Sequence, residues 1–335
     1  LEELTLPTTL TKIGTYAFYN AKVLDEIVIR SNLTNSYSSP FEGSGLQKIV
    51  FTDNVTSIPS YLFSKGCSSV TELDIPSSVT FIGAYAFQNA VSLKELTLKG
   101  NISISGTVSP FAGSGIEQLH FTEDVTEIAS HLFDGGCTGL KELDIPEHIT
   151  SVGSYAFRKA TSLDMVTIRR DYSPAAGVVV GPFTGADIKE IVFAEGVTKV
   201  GRYFFADGVE SLTKITIPST LTTIDIGAFS GCSSLSAMDF PEQITYIGQR
   251  AFEKATSLKT VTIRSDLTVN TGVVVSPFYE ADIETVIIAD GVTEIPRYLF
   301  AEGVSNLTDI WMPVTLRSIG VNAFSGGENI TVEIS

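Results

Sequence analysis

Three histidines, three cysteines and a surplus of carboxylates are the residues of this 335-residue chain with the most chemical reach. His120, His131 and His148 could ligate a metal or act as bases, but no two have the H-x3-H or H-E-x-x-H spacing that turns two imidazoles toward one ion. A zinc site needs three or four convergent ligands, so none is expected. Serine and threonine are abundant, yet no G-x-S-x-G elbow, P-loop or dinucleotide fingerprint occurs. The acids are spread along the whole array and do not flank a cleft as a glycosidase pair would. No catalytic residue and no cofactor is therefore assigned.

Cys67, Cys137 and Cys232 are too few, and odd in number, for a disulfide framework in so long a chain. Each reads as a small buried hydrophobe.

Composition narrows the partners. Lysine and arginine number 22 against 38 acids, for a net charge of −16. Phosphate binding needs a basic footprint, so nucleic acid and anionic membrane surfaces are disfavoured. The charge serves solubility, or faces a cationic partner. With 43% hydrophobic and 18% charged residues the chain is too apolar for disorder. No apolar run approaches the roughly 18 residues of a membrane span, so membrane insertion is not expected.

The elements that must position any functional side chain repeat along the whole sequence. The pattern is L-x-x-L-x-I-P-x-x-V-T-x-I-G-x-x-A-F, clearest in VTELDIPSSVTFIGAYAF from Val70 and LKELDIPEHITSVGSYAF from Leu140. Such a period means a stacked solenoid. About fourteen coils of 22–25 residues follow, each with one anchoring phenylalanine from Phe18 to Phe324. Three coil types alternate, ending in I-G-x-x-A-F, in S/G-P-F (Ser39-Pro40-Phe41, Ser109-Pro110-Phe111) or in a bulky pair such as Leu62-Phe63. Three-coil blocks therefore start near 1, 70, 140 and 235, with an extra coil at 212–234, in one continuous array over 1–335.

Within a coil, L-x-x-L-x-I has the period of a strand with its aliphatics inward. Proline after it lacks an amide and ends the ladder. V-T-x-I predicts a second short strand. Glycine supplies a turn, and G-x-x-A-F predicts a short helical or 3-10 turn burying Ala and Phe. At about 4.8 Å per parallel strand the array would span about 65 Å. Cys67 and Cys137, three coils apart, would then lie roughly 14 Å apart, beyond the reach of about 7 Å for a disulfide.

Leu73-Asp74-Ile75-Pro76, Val79-Thr80-Phe81-Ile82-Gly83 and Ala86-Phe87 resemble the leucine-rich repeats of the BspA-like surface-protein family, the type also found in treponemal repeat proteins. The resemblance runs through essentially the whole chain. It implies an α/β solenoid, a right-handed superhelix with parallel strands on its concave face, a second short-strand wall and short helical or 3-10 turns. It also implies a secreted or cell-surface protein of a host-associated bacterium, associated with adhesion and protein binding, with no catalytic residues to carry over. The family often places Cys two or three residues after the Phe. Cys232 keeps that form, Cys67 and Cys137 lie four residues after theirs, and the S-P-F coils depart further.

In such an array the outward strand positions are the expected partner face, for a protein or a glycan. They read as acidic at Glu72, Asp74, Glu95, Glu142 and Asp144, then as more apolar toward the C-terminus at Ile287 and Trp311, with Asp309 beside them. His120 also falls outward. Trp311, the only tryptophan, is either a hot spot or a residue covered by a following coil. The runs Val178-Val179-Val180 and Val273-Val274-Val275 are either a bulged wall or an apolar ridge, and Ala175-Ala176-Gly177 and Thr271-Gly272 read as turns. Sequons start at Asn32, Asn54, Asn101, Asn306 and Asn329. Neither end carries a cap, which predicts end-to-end association or a longer parent protein. A non-enzymatic surface binding protein is expected; a structural spacer presenting another domain is the alternative.

Overall fold

The computed structural model describes residues 2–34, 38–173, 178–207, 209–269, 275–302, 305–327 and 330–334. The chain divides into two compact units, Leu1–Leu163 and Asp164–Ser335. Each is a run of stacked parallel β-coils, about fourteen in all.

In the first unit the L-x-x-L-x-I segments form strands at Glu3–Thr5, Glu26–Ile29, Lys48–Phe51, Glu72–Asp74, Glu95–Leu98, Gln118–Phe121 and Glu142–Ile145. Equivalent residues pair in parallel register, Ile27 beside Ile49 and Ile49 beside Leu73. The predicted second wall is present as two-residue strands, with Ser57–Ile58, Phe81–Ile82 and Ser103–Ile104 in one ladder and Glu127–Ile128 beside Ser151–Val152 in another.

Between the walls runs the phenylalanine ladder. Phe18, Phe41, Phe63, Phe87, Phe111, Phe133 and Phe157 stack face to face with centroids 4.9–5.8 Å apart. All but the half-buried Phe18 are sealed from solvent. One ring per coil at this spacing removes a large apolar area from water and adds a modest ring–ring attraction.

The second unit repeats the plan. Its main wall is Met165–Ile168, Glu190–Phe193, Lys214–Thr216, Ala237–Phe240, Thr260–Ile263, Thr285–Ile288, Asp309–Met312 and Thr331–Ile334. Phe183, Phe205, Phe229, Phe252, Phe278, Phe300 and Phe324 stack at 5.2–5.6 Å.

The expected helical or 3-10 turn is not what closes the coil; the described residues contain no helix. Left-handed residues take its place. Tyr85 and Asn89 have φ of 58° and 61°, and Tyr61 and Lys65 have 62° and 59°. A side chain disfavours this region by about 1–2 kcal/mol per residue, and one such residue every fourth position breaks a helical run. The reward is a third set of bonds between coils. The amides of Tyr85, Phe87 and Asn89 donate to the carbonyls of Ser109, Pro110 and Ala112 in the next coil. The intervening amides of Ala86, Gln88 and Ala90 close local turns on Gly83, Tyr85 and Phe87.

Glycine in the I-G motif also differs from expectation. Gly83 is not among the left-handed residues. A Cβ there would stand 2.3 Å from the Ser60 amide nitrogen of the preceding coil, and Gly153 meets Ser130 in the same way. Close approach of backbones, not turn conformation, demands the glycine.

Candidate functional site

Period-2 alternation sends every second strand residue to the outer face. In the first unit Glu72, Asp74, Glu95, Glu142 and Asp144 are all exposed there, as the sequence indicated. The wall beneath them is not continuous. Glu72–Asp74 and Glu95–Leu98 lie in different hydrogen-bonded ladders, and so do Gln118–Phe121 and Glu142–Ile145. At the second interruption proline removes one inter-coil bond, as Pro76 also does where the ladder stays paired. Thr52 and Thr122, the residues after their strands, donate to Ile29 and Leu98 in the preceding coil. Pro146 occupies that position after Glu142–Ile145 and has no amide to give.

Each interruption opens a depression. The first, about 290 Å³, is lined by Lys48, Glu72, Leu73, Asp74, Glu95 and Lys99, among others. The second, about 430 Å³, is bordered by Glu117, Leu119, His120, Lys141, Glu142 and Asp144. Leu73 and Leu119 are half-exposed, whereas Ile27, Ile49, Leu96 and Leu143 at the same strand position are buried. Where the ladder opens, a core leucine reaches the surface. Sequence patterning, which places these leucines inward, does not reveal it, and proline after a strand does not mark it, because Pro76, Pro218 and Pro313 follow strands that pair with the preceding coil.

Ion pairs lace the rim. Lys99 Nζ lies 2.5 Å from Asp74 Oδ1, across the first interruption. Lys48 Nζ is 3.5 Å from Glu26 and 3.8 Å from Glu72, and His120 Nε2 is 3.2 Å from Glu95. These side chains are largely exposed, so each pair contributes about 0–1 kcal/mol.

In the second unit, Ile287 and Trp311 stand side by side in register, and Asp309 lies opposite Thr285. Trp311 is 41% exposed beside the paired strand Thr331–Ile334. A third interruption, between Lys214–Thr216 and Ala237–Phe240, half-exposes Ile215. Val179 is exposed and Val178–Val180 form no strand. Val273, Val274, the predicted turns at Ala175–Gly177 and Thr271–Gly272, and the sequon residue Asn329 lie outside the described residues.

Other chemistry-bearing groups are structural. Cys67, Cys137 and Cys232 are buried thiols. Burial pushes Cys67 and Cys232 up to about 12, against weaker opposing backbone hydrogen bonds, and raises Cys137 as well. Thiols held protonated are inert nucleophiles. His131 Nδ1 and Arg158 Nε lie 2.9 and 2.6 Å from buried Asp134, and the Tyr155 ring lies beside both the imidazole and the guanidinium. Among the described residues no cluster of three or more His, Cys, Asp or Glu could hold a metal, and no helix is long and apolar enough to cross a membrane.

The sequon residues Asn32 and Asn101 have a role that sequence reasoning missed. Asn32 Oδ1 accepts the amides of Thr56 and Ser57, and its Nδ2 donates to Thr56 Oγ1. Asn101 holds Thr126 and Glu127 in the same way. Asp171 and Asp266 make the equivalent clamp in the second unit.

Comparison with curated proteins finds no match. Among solved structures the chain is similar to a leucine-rich repeat protein from Bacteroides ovatus, at 20% identity over 99% of this chain and 92% of that one, with a TM-score of 0.45. It is similar to a leucine-rich cell surface protein from Faecalibacterium prausnitzii, at 20% identity over 98% and 91%, TM-score 0.39. It is also similar to the pneumococcal vaccine antigen PcpA, at 17% identity over 99% and 89%, TM-score 0.45. The family model for the BspA type leucine-rich repeat region matches residues 1–109, 108–175, 180–273 and 272–335. With nearly its whole length matched and the repeat visible in its coils, the chain belongs to the BspA type leucine-rich repeat family.

Proposed function

We propose that the chain is a non-enzymatic binding scaffold, displayed at a cell surface or secreted, whose outer strand face engages a protein partner in adhesion. The observation that carries this reading is the strand face of the first unit. There Glu72, Asp74, Glu95, Glu142 and Asp144 surround two depressions, each with a surfaced core leucine. An apolar floor inside a charged rim is the usual anatomy of a protein interface. Surface location and adhesion rest on family membership, and Ile287, Asp309 and Trp311 extend the candidate face in the second unit.

The test is binding of the full chain to a panel of purified host-matrix proteins and glycans, beside the double variant Asp144→Ala/Trp311→Ala. Loss of binding in the variant supports the strand face. Unchanged binding removes it. If the chain binds nothing in the panel, its role is that of a spacer for another domain of a longer protein.

A further inference from the structure

We propose that the strand face of the first unit takes a polyproline-II polypeptide segment carrying a lysine or arginine at every third residue, with one basic side chain in each of its two depressions. This rests on the reading of that face as a partner surface.

The occupant of each depression follows from its lining. Leu73 floors the first and Leu119 the second. Glu72, Asp74 and Glu95 rim the first, and Glu117, Glu142 and Asp144 the second. An aliphatic floor inside an acidic rim suits a long side chain that lays its methylenes on leucine and keeps its cationic head at the edge. Lys48, Lys99 and His120 already touch rim carboxylates. Those exposed pairs are weak, so displacing them costs an incoming cation little.

Spacing selects the backbone. The interruptions fall between the fourth and fifth and between the sixth and seventh strands of the unit, two coils apart. The first depression is lined from Lys48 to Lys99 and the second from Glu117 to Asp144, so at 4.7–4.9 Å per strand their centres are separated by about 10–12 Å. A polyproline-II helix returns to the same side every three residues, about 9.3 Å. An extended β-strand returns every two residues, roughly 6.7 Å, and overshoots at four. An α-helix covers about 10.5 Å in seven residues, but it would drive an intervening turn into the intact ladder between Glu95–Leu98 and Gln118–Phe121. There Leu96 is buried and Thr97 pairs with His120.

Fluorescence anisotropy of the full chain with labelled peptides tests this. One peptide repeats Pro-Pro-Lys six times, a second has the same composition with its lysines grouped at one end, and a third is an alanine-rich helix with lysine every seventh residue. The periodic proline peptide is expected to bind at least ten-fold more tightly than the other two. Glu72→Gln/Glu142→Gln, which alters two exposed side chains, is expected to weaken it at least ten-fold. Equal binding of grouped and periodic lysines overturns the spacing, as does preference for the helix. If those equal affinities still fall in the Gln variant, the partner-face reading stands without the periodic ligand. No binding of any peptide also overturns the proposal. In that case the matrix-protein panel, with Asp144→Ala/Trp311→Ala, decides separately whether the face binds anything.

Discussion

Asn32 reaches one coil forward to Thr56, accepting its amide at 2.8 Å and donating to its hydroxyl at 2.9 Å. One side chain thus satisfies backbone and side chain of the next winding, in the manner of a capping residue. Asn32→Ala should cost about 1–2 kcal/mol, whereas Asn32→Asp should cost less, because Asp171 and Asp266 serve at the equivalent places. Urea midpoints of the two variants check the order. Attachment of a glycan to Asn32 would replace one of the two Nδ2 hydrogens and place a sugar against the Thr56 contact, so glycosylated material should melt below the unmodified chain.

The acidic version of the clamp is pH-dependent. Partial burial works to raise the Asp266 carboxyl, but hydrogen bonds from the Thr293 hydroxyl and the Thr293 and Glu294 amides outweigh it and leave the group below its ordinary value. A depressed folded pKa means stability that is present above the unfolded value of about 3.9 and is lost as pH falls through the folded value. Asp266→Asn should therefore flatten the acid limb of stability while changing little at neutral pH. Urea unfolding at pH 6 and pH 3 reads this out; an unchanged acid limb would contradict it.

Glycines of the same motif should respond oppositely to alanine. Gly83→Ala forces a Cβ to 2.3 Å from the Ser60 nitrogen, and should destabilise by about 1–3 kcal/mol. Gly14, the first such glycine, has nothing within 4 Å of its Cβ direction. Its φ is not in the left-handed region, so Gly14→Ala should be neutral or stabilising by about 0.4–1 kcal/mol. Paired thermal melts decide it.

The phenylalanine ladder predicts a gradient along the first unit. Phe133 stacks on Phe111 and Phe157 and is fully buried, so Phe133→Ala should cost about 3–5 kcal/mol. Half-buried Phe18 stacks on Phe41 alone among the ladder rings, and its loss should cost distinctly less. Denaturant unfolding of the two variants tests the order.

Sequence exposed most of this architecture because the repeat itself carries the information. One Phe per coil predicts the ladder, and inward aliphatics on strands predict which of Glu72, Asp74, Glu142 and Trp311 face out. What it hid depends on residues a coil apart in space. Tyr61 and Tyr85 adopt positive φ although tyrosine does not signal it, and their amides donate to Ala84 and Ser109 in the next coil. Asn32 reads as a sequon until Thr56 is laid over it. Leu73 and Leu119 read as core until the ladder beside them opens.

Hydrogen–deuterium exchange of the full chain with a matrix protein that it binds tests the central claim most directly. The account predicts slowed exchange at Glu72–Asp74, Glu95–Leu98, Gln118–Phe121 and Glu142–Ile145, with the Tyr61 and Tyr85 turns unaffected. Protection confined to those turns, with the strand face exchanging as in the free chain, would contradict it.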